Sequence, residues 1–400
     1  MKKKIIFIQS FKFLDFHYIQ YEIDNLKKYF KVECHDLTLI KNKKIEFHYK
    51  YLKNNFKIKK FNNLENWEKK ILKESNKYGS KLIICFLHFP TTFNELHIYW
   101  KLLKKKMNVC IFNSNSMISL NQIKDQKFYK VLSYKIIRLL TRPKQIINYK
   151  KISLINFIIE KISKNVYPKY IFVNSKKDYL NYKRKWKNSK IFRLHSWDGS
   201  KVINFKNKKK IKSKKIATYL SAFSLKSASD SANYNTSRRE NTKKVLNSLN
   251  NFFDNLEKNF GFKINIAKHP REEDNFNSPI YKNKKRFASK YLTGKLIYNS
   301  KLVITTMSTA ISYAAIFKKP ILFIITNEHY KNKSLVQYTN GISNYFKSNL
   351  INIDNRKNFK VNLKLSNYTL NKYEYFKRDY LINEKFRNLQ NSQLLIKLLK

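Results

Sequence analysis

The feature that most constrains this 400-residue chain is an alternation of short apolar runs with amphipathic helical stretches, which lapses at mid-chain and then restarts. KIIFIQ, at residues 4–9, reads as a first strand. Phe16, Ile19, Ile23, Leu26 and Phe30 then recur at three- and four-residue steps, the signature of one apolar helix face. Residues 32–39 read as a second strand and 64–78 as a helix leading to Gly79. KLIICFL, at 81–87, reads as a buried strand, 93–105 as a helix, and 108–112 and 169–173 as extended segments. The stretch 113–168 is read as two helices. This rhythm predicts a parallel sheet with helices on both faces.

Around residues 200–215 the sequence becomes KVINFKNKKKIKSKK, almost all solvated, which marks a linker between two domains. After it come a strand at 215–220, a serine-rich loop at 221–233, and a long helix carrying Val245, Leu249, Phe252, Leu256 and Phe260, with Gly261 placed to end it. Strands at 262–267, 302–305 and 320–325 follow, and a helix over 384–399 closes the chain. The expected fold is α/β, two Rossmann-like domains over 1–205 and 206–400, their parallel sheets facing across a ligand cleft. No internal repeat is found.

Composition bears on the partner. There are 84 Lys and Arg against 26 Asp and Glu, a formal charge of +58. Clustered cations gain affinity for nucleic acid by releasing counterions. Here, however, lysine far outnumbers arginine, and the excess is spread along the chain together with Asn, Ile, Phe and Tyr. Such a joint bias is what an A+T-rich coding sequence gives, so no specific nucleic-acid partner is expected. A surface this basic does favour anionic lipid, at about 1 kcal/mol per well-placed Lys or Arg. No apolar run approaches the roughly 20 residues of a membrane span, and MKKKIIFIQSF lacks a signal-peptide cleavage site. Cys34, Cys85 and Cys110 are unspaced for a metal site and suit a reducing compartment. The expected location is the cytoplasm, with peripheral attachment to the inner membrane. No metal and no cofactor are expected.

Chemistry concentrates between 261 and 325. GFKINIAKHPRE is a strand ending at His269, Pro270 and Arg271, and ligands of open α/β sheets sit beyond the carboxyl ends of strands. Proline restricts the residue before it, so His269 is held in one direction, and Arg271 offers a planar fork to a phosphate. A histidine that simply precedes a turn is the plainer reading. In NSKLVITTMSTAISYAAIFKKPILFI, a strand runs through Thr306 to Ser308 and Thr309, expected at a helix N-cap where backbone N–H groups favour an anion. Small residues Ala310, Ala314 and Ala315 would let that helix approach the sheet. A routine Ser/Thr cap explains this segment equally well.

Taken together, HP followed some thirty-five residues later by TTMSTA resembles the C-terminal domain of bacterial surface-carbohydrate biosynthesis proteins. More remotely, it is similar to the GT-B polysialyltransferases and Kdo transferases of capsule and lipopolysaccharide assembly. The resemblance covers about 215–330. It implies a metal-independent glycosyltransferase that uses a nucleotide-sugar donor, with CMP-sugar favoured, and a glycan or lipid-linked glycan acceptor. It also implies that His269, Pro270, Ser308 and Thr309 contact the donor phosphate; Arg271 and Thr306 are added as phosphate-binding candidates on their own chemistry. The pattern departs from those relatives at Ser221, where they carry an acidic residue, and at Thr306–Met307, where they carry a histidine. For the general base the candidates are Asp198 in LHSWDGS, then Asp15 and His17 after the first strand, then His88 after KLIICFL; a structural role is open for each. The rival readings are a polyol-phosphate transferase of the CDP-glycerol type, a non-catalytic GT-B homologue, and a basic protein that binds nucleic acid or membrane.

Overall fold

A computed structural model of the chain describes residues 1–10, 13, 15–41, 56, 58–113, 153–155, 157–159, 161, 166–205, 215–221, 241–270, 286–355 and 361–400. The chain forms two compact units. Among the described residues the first comprises those up to Trp197 together with Asn388–Lys400, and the second those of Asp198–Arg387. The first unit thus runs to Trp197 and takes in the last residues of the chain.

The first unit carries a seven-stranded sheet of β1 (Lys4–Gln9), β2 (Lys31–Asp36), β3 (Ile58–Lys60), β4 (Leu82–Phe86), β5 (Asn108–Asn113), β6 (Tyr170–Val173) and β7 (Lys190–Arg193). Its order is β3-β2-β1-β4-β5-β6-β7, and every pairing is parallel. β1 is buried at all six positions, as a central parallel strand covered on both faces must be. The order reverses between β1 and β4, which makes their carboxyl ends the place where a doubly wound sheet opens a crevice.

Beneath this sheet lies a buried ion network. Lys4 Nζ sits 2.5 Å from Glu33 Oε2 and 2.6 Å from Glu74 Oε2. Lys59 reaches Glu33, and Lys70 reaches Glu74 at 2.5 Å. It ties β1, β2, β3 and the helix Leu64–Tyr78 together, because charges removed from water must be paired.

The apolar face read from Phe16 to Phe30 is not one helix. It breaks into Asp15–Gln20 and Ile23–Lys27 around Glu22, which takes left-handed backbone angles (φ 51, ψ 44). The break points the Glu22 carboxylate at Ser392, whose N and Oγ donate at 3.0 and 2.5 Å. Ser392 lies in the first turn of the closing helix, Asn391–Leu399. Asn391 is pinned in turn: its Oδ1 accepts from His195 N at 3.0 Å, and its Nδ2 donates to His195 O at 3.1 Å. The helix read over 384–399 is thus shortened by contacts no local pattern encodes.

The second unit holds β8 (Ile216–Leu220), β9 (Lys263–Ala267), β10 (Phe287–Ser289), β11 (Leu302–Thr305), β12 (Ile321–Ile325) and β13 (Leu350–Asn352). All are parallel, in the order β10-β9-β8-β11-β12-β13. Helix Thr242–Phe260 starts at Asn241, whose side chain accepts from Lys244 N, and stops at left-handed Gly261 (φ 65). It buries Val245, Leu249, Phe253 and Leu256 against Tyr219, Ile264 and Ile304, each side chain contributing about 1.5–3 kcal/mol. Arg286, fully buried at its side chain, binds Glu257, Asn250 and Asp254 of that helix and so holds β10 at the sheet edge. The other sheet face carries Leu220, Val303 and Phe323. Among the described residues no helix is long and apolar enough to cross a membrane.

Candidate functional site

In the second unit the strand order reverses between β8 and β11, so the crevice expected for a ligand lies at their carboxyl ends. The residues singled out in the sequence flank it. Thr306–Thr309 follow β11. His269 and Pro270 follow β9, which pairs with the far side of β8. The two motifs are therefore separated by one strand and are not on adjacent strands; Ser221 at the end of β8 stands between them, its N donating to Ala267 O at 3.0 Å. His269 and Pro270 are partly buried, and Arg271 lies outside the described residues.

The TTMST segment is a turn, not a cap. Ser308 Oγ accepts from Ala310 N at 3.2 Å. The following helix, Ile311–Ile316, begins after Ala310 with no side-chain cap. Thr306 is buried and its carbonyl accepts from Thr339 Oγ1 at 3.0 Å, while Thr309 is exposed. Tight burial of Ala314 and Ala315 keeps the helix against the sheet, as their small size predicts. The turn thus stands on a rigid base with Ser308 and Thr309 at its outer side.

Asp198 proves to be part of this base. It opens the second unit, in the helix Trp197–Val202, and accepts from Ser312 Oγ at 2.5 Å and from the Tyr313 hydroxyl. Ser312 N in turn donates to Thr309 O at 3.2 Å. The Tyr313 ring passes over Gly294, where a Cβ would come within 3.0 Å of it. Burial pushes the Asp198 carboxyl above the usual carboxylate range, outweighing Lys201, Ser312 and Tyr313, which lower it. A raised native value means that this group's stabilisation is complete below about pH 4 and is lost as pH rises through the native value. Asp198→Asn keeps an acceptor for Ser312 without the charge. Its melting temperature relative to wild type is expected to rise as pH increases above about 4 and to level off beyond the native value; a difference flat from pH 4 to pH 8 would mean that Asp198 does not carry this linkage.

In the first unit, His17 and His88 follow β1 and β4, the two strands of its own reversal point. His17 is buried, stacked on Tyr21 (6.0 Å, 11°) and tilted against Phe13. The side chain of Asp15 lies outside the described set. His88 is 30% exposed. Its Nδ1–H donates to Phe89 O at 2.7 Å, which fixes the tautomer that leaves Nε2 as the basic nitrogen. Nε2 lies 3.9 Å from Oε1 of Glu95. Sequence reasoning missed Glu95. The T-x-x-E pattern of Thr92 and Glu95 marks a capping box and was legible; its approach to His88 was not.

A cavity of about 110 Å³ is lined by Leu302, Pro320, Lys347, Asn349, Ser366 and Thr369. It sits at the amino ends of β11–β13, away from every residue above, and takes no part in the candidate site. Among the described residues no three His, Cys, Asp or Glu side chains gather as a metal-ligand set.

Two doubly wound parallel sheets, each with a strand-order reversal, make this the α/β fold of GT-B glycosyltransferases. Solved structures of the wall teichoic acid polymerase TagF share it. One variant matches at a TM-score of 0.54 and 12% identity, over 99% of this chain and 88% of that one. Another matches at 0.53 and 13% over the same shares, and a variant soaked with CDPG at 0.51 and 14%, again over 99% and 88%. No protein-family profile matches the sequence, and no curated protein matches it significantly.

Proposed function

We propose that the protein is a transferase that moves a sugar from a cytidine-nucleotide donor to a hydroxyl of a surface glycan. The observation that carries this is the placement of His269–Pro270 and Thr306–Thr309 at carboxyl ends on either side of β8. Charge develops on the departing phosphate as the anomeric C–O bond breaks. Donors at those strand ends stabilise it, the His269 imidazole and the Ser308 and Thr309 hydroxyls, and Arg271, next in sequence, is assigned the same role. The acceptor oxygen bonds to the anomeric carbon, CMP leaves with the electron pair, and a general base takes the acceptor proton, a role assigned to His88. His88 is preferred to Asp198, whose carboxylate is engaged by Ser312 and Tyr313, and to His17, which is packed among aromatic rings.

A second reading is favoured by the likeness to TagF: transfer of a polyol phosphate from CDP-glycerol, in which the acceptor oxygen attacks the distal phosphorus and CMP again departs. The charge of +58 supports attachment to an anionic bilayer, where a lipid-linked acceptor resides.

The test is a thermal-shift series with CMP, CDP, UDP, GDP, CMP-N-acetylneuraminate and CDP-glycerol, on wild type and His269→Ala. A ligand at 100 times its Kd stabilises by about 2.7 kcal/mol. A shift with cytidine ligands, lost in the variant, is expected. No shift with any of them, beside tight and salt-sensitive binding of nucleic acid, sinks the transferase reading. The retained product then separates the two chemistries, since only one carries a polyol phosphate.

A further inference from the structure

We infer that the second unit carries a further binding site, for an anionic sugar unit, in the cavity at the amino ends of β11–β13. The inference goes beyond the donor reading and does not depend on it. At about 110 Å³ the cavity has several times the space that one water needs. Leu302, Pro320 and Thr369 line it as buried residues, and Lys347, Asn349 and Lys364 as exposed ones. Apolar walls with a few polar groups converging on them are the usual build of a small-molecule site. β12 runs for five residues between this cavity and the carboxyl ends, roughly 16 Å of strand, so the cavity is separate from the phosphate-facing residues.

The charge around it is of one sign. Among the described residues no acidic side chain lines the cavity. Lys347 Nζ lies 4.3 Å from the centre of the Tyr368 ring, and Lys372 Nζ lies 5.3 Å from the same ring, which gathers a third cation beside Lys347 and Lys364. The acidic residues of this part of the chain are engaged elsewhere. Asp354 accepts from Asn327 N at 2.7 Å, Glu374 pairs with Lys318 and Lys377 at 3.0 and 3.2 Å, and Asp379 pairs with Arg378 at 2.9 Å. Among the described residues none of the three lysines has a carboxylate partner. A concave surface of one sign concentrates ligands of the other. Lysine ammoniums suit a carboxylate or a phosphate, the Asn349 amide suits hydroxyls, and the apolar walls suit the C–H face of a ring or a polyol chain.

The experiment is a calorimetric titration at about 0.15 M salt, where exposed charges are screened beyond about 8 Å. The probes are di-N-acetylneuraminate, glycerol 3-phosphate and the neutral disaccharide lactose. They are titrated into wild type, Lys364→Ala, Lys347→Gly/Lys364→Ala, and the control Lys176→Ala/Lys177→Ala, with melting temperatures recorded. Glycine suits the left-handed backbone of residue 347 (φ 47), which ends the helix Lys333–Phe346, so the fold is kept. The control removes the same charge from exposed positions of the helix Lys176–Lys185 in the first unit. Wild type is expected to bind at least one acidic probe and not lactose. Lys347→Gly/Lys364→Ala should weaken that binding about tenfold or more, as loss of hydrogen bonds to a charged group does, with Lys364→Ala between it and wild type. The control should stay within twofold, and all melting temperatures near wild type. Binding of di-N-acetylneuraminate alone identifies a carboxylate-bearing sugar, and of glycerol 3-phosphate alone a polyol phosphate. Equal weakening in the two double variants overturns the inference, since overall charge then explains the binding. So does lactose bound as well as the acidic probes, or no acidic probe bound by wild type. None of these results bears on the cytidine ligands, whose series reads His269 at the other end of the sheet.

Discussion

Replacing His88 by alanine is expected to lower CMP release by about 10²–10⁴-fold, the usual contribution of a positioned general base. Melting temperature should stay near wild type. The side chain is part-exposed and hydrogen-bonds the adjacent carbonyl of Phe89, so little packing is lost; surface changes of this kind stay within about 0.5 kcal/mol. Thermal shift with the cytidine ligand should also survive, since donor contacts are assigned to the second unit. Initial rates and a ligand-shift series on the one variant read both quantities. If turnover is retained, the base is elsewhere, and His17, after the neighbouring strand, becomes the group to test.

The largest stability effect is expected at Glu33. In the buried network it faces Lys4, with Lys59 and His35 on the same side. Glu33→Ala leaves Lys4 with Glu74 as its remaining counter-ion and should cost about 3–5 kcal/mol, the range for breaking a buried pair by removing one partner. Lysine and histidine neighbours hold the Glu33 carboxyl well below the usual range despite burial, which acts to raise it. A depressed native value contributes stability above the unfolded value, near pH 4.3, and loses it as pH falls further. Burial likewise depresses His35, whose unfolded value is near 6.5. Its contribution has the same sign and begins to fail on acidification below about pH 6.5. Wild type should therefore lose stability in two stages, below pH 6.5 and again below about pH 4, and Glu33→Ala should lack the second. Denaturant midpoints from pH 3 to pH 8 test this; a variant that keeps the lower stage places it on Glu74 instead.

Much of the fold was legible because its central strands are continuous apolar runs. KIIFIQ and LVIT were read at the bounds the structure gives, and the helix at 64–78 likewise. Hidden were β3, β7, β10 and β13, strands of three or four residues lying at or toward the sheet edges. There one side of the pairing and much of the burial are absent, so local composition carries little signal. Of the linker read at 200–215, residues 201–205 are ordered helix and turn, with Val202 packed into the second core. The site was legible in part for the same reason. His269, Ser308, Thr309 and His88 follow strong strands, and strand ends are where chemistry collects. Asp198 was noticed for its type, and only its partners show that it braces the Ser308–Thr309 turn.

The sequence by itself determined the class of fold, the central strands of both sheets and the polar residues at their carboxyl ends, because strand period, helix period and strand termini are written within ten or twenty residues. The tertiary structure decided what depends on distant partners. It set β8 between the two motifs, since sheet order follows from packing and not from chain order. It broke the first helix at Glu22, where a carboxylate bonded to Ser392, some 370 residues away, outweighs local helical periodicity. It also brought Glu95 to His88, because a strand end and a helix start seven positions apart in sequence turn toward each other only when the loop between them folds.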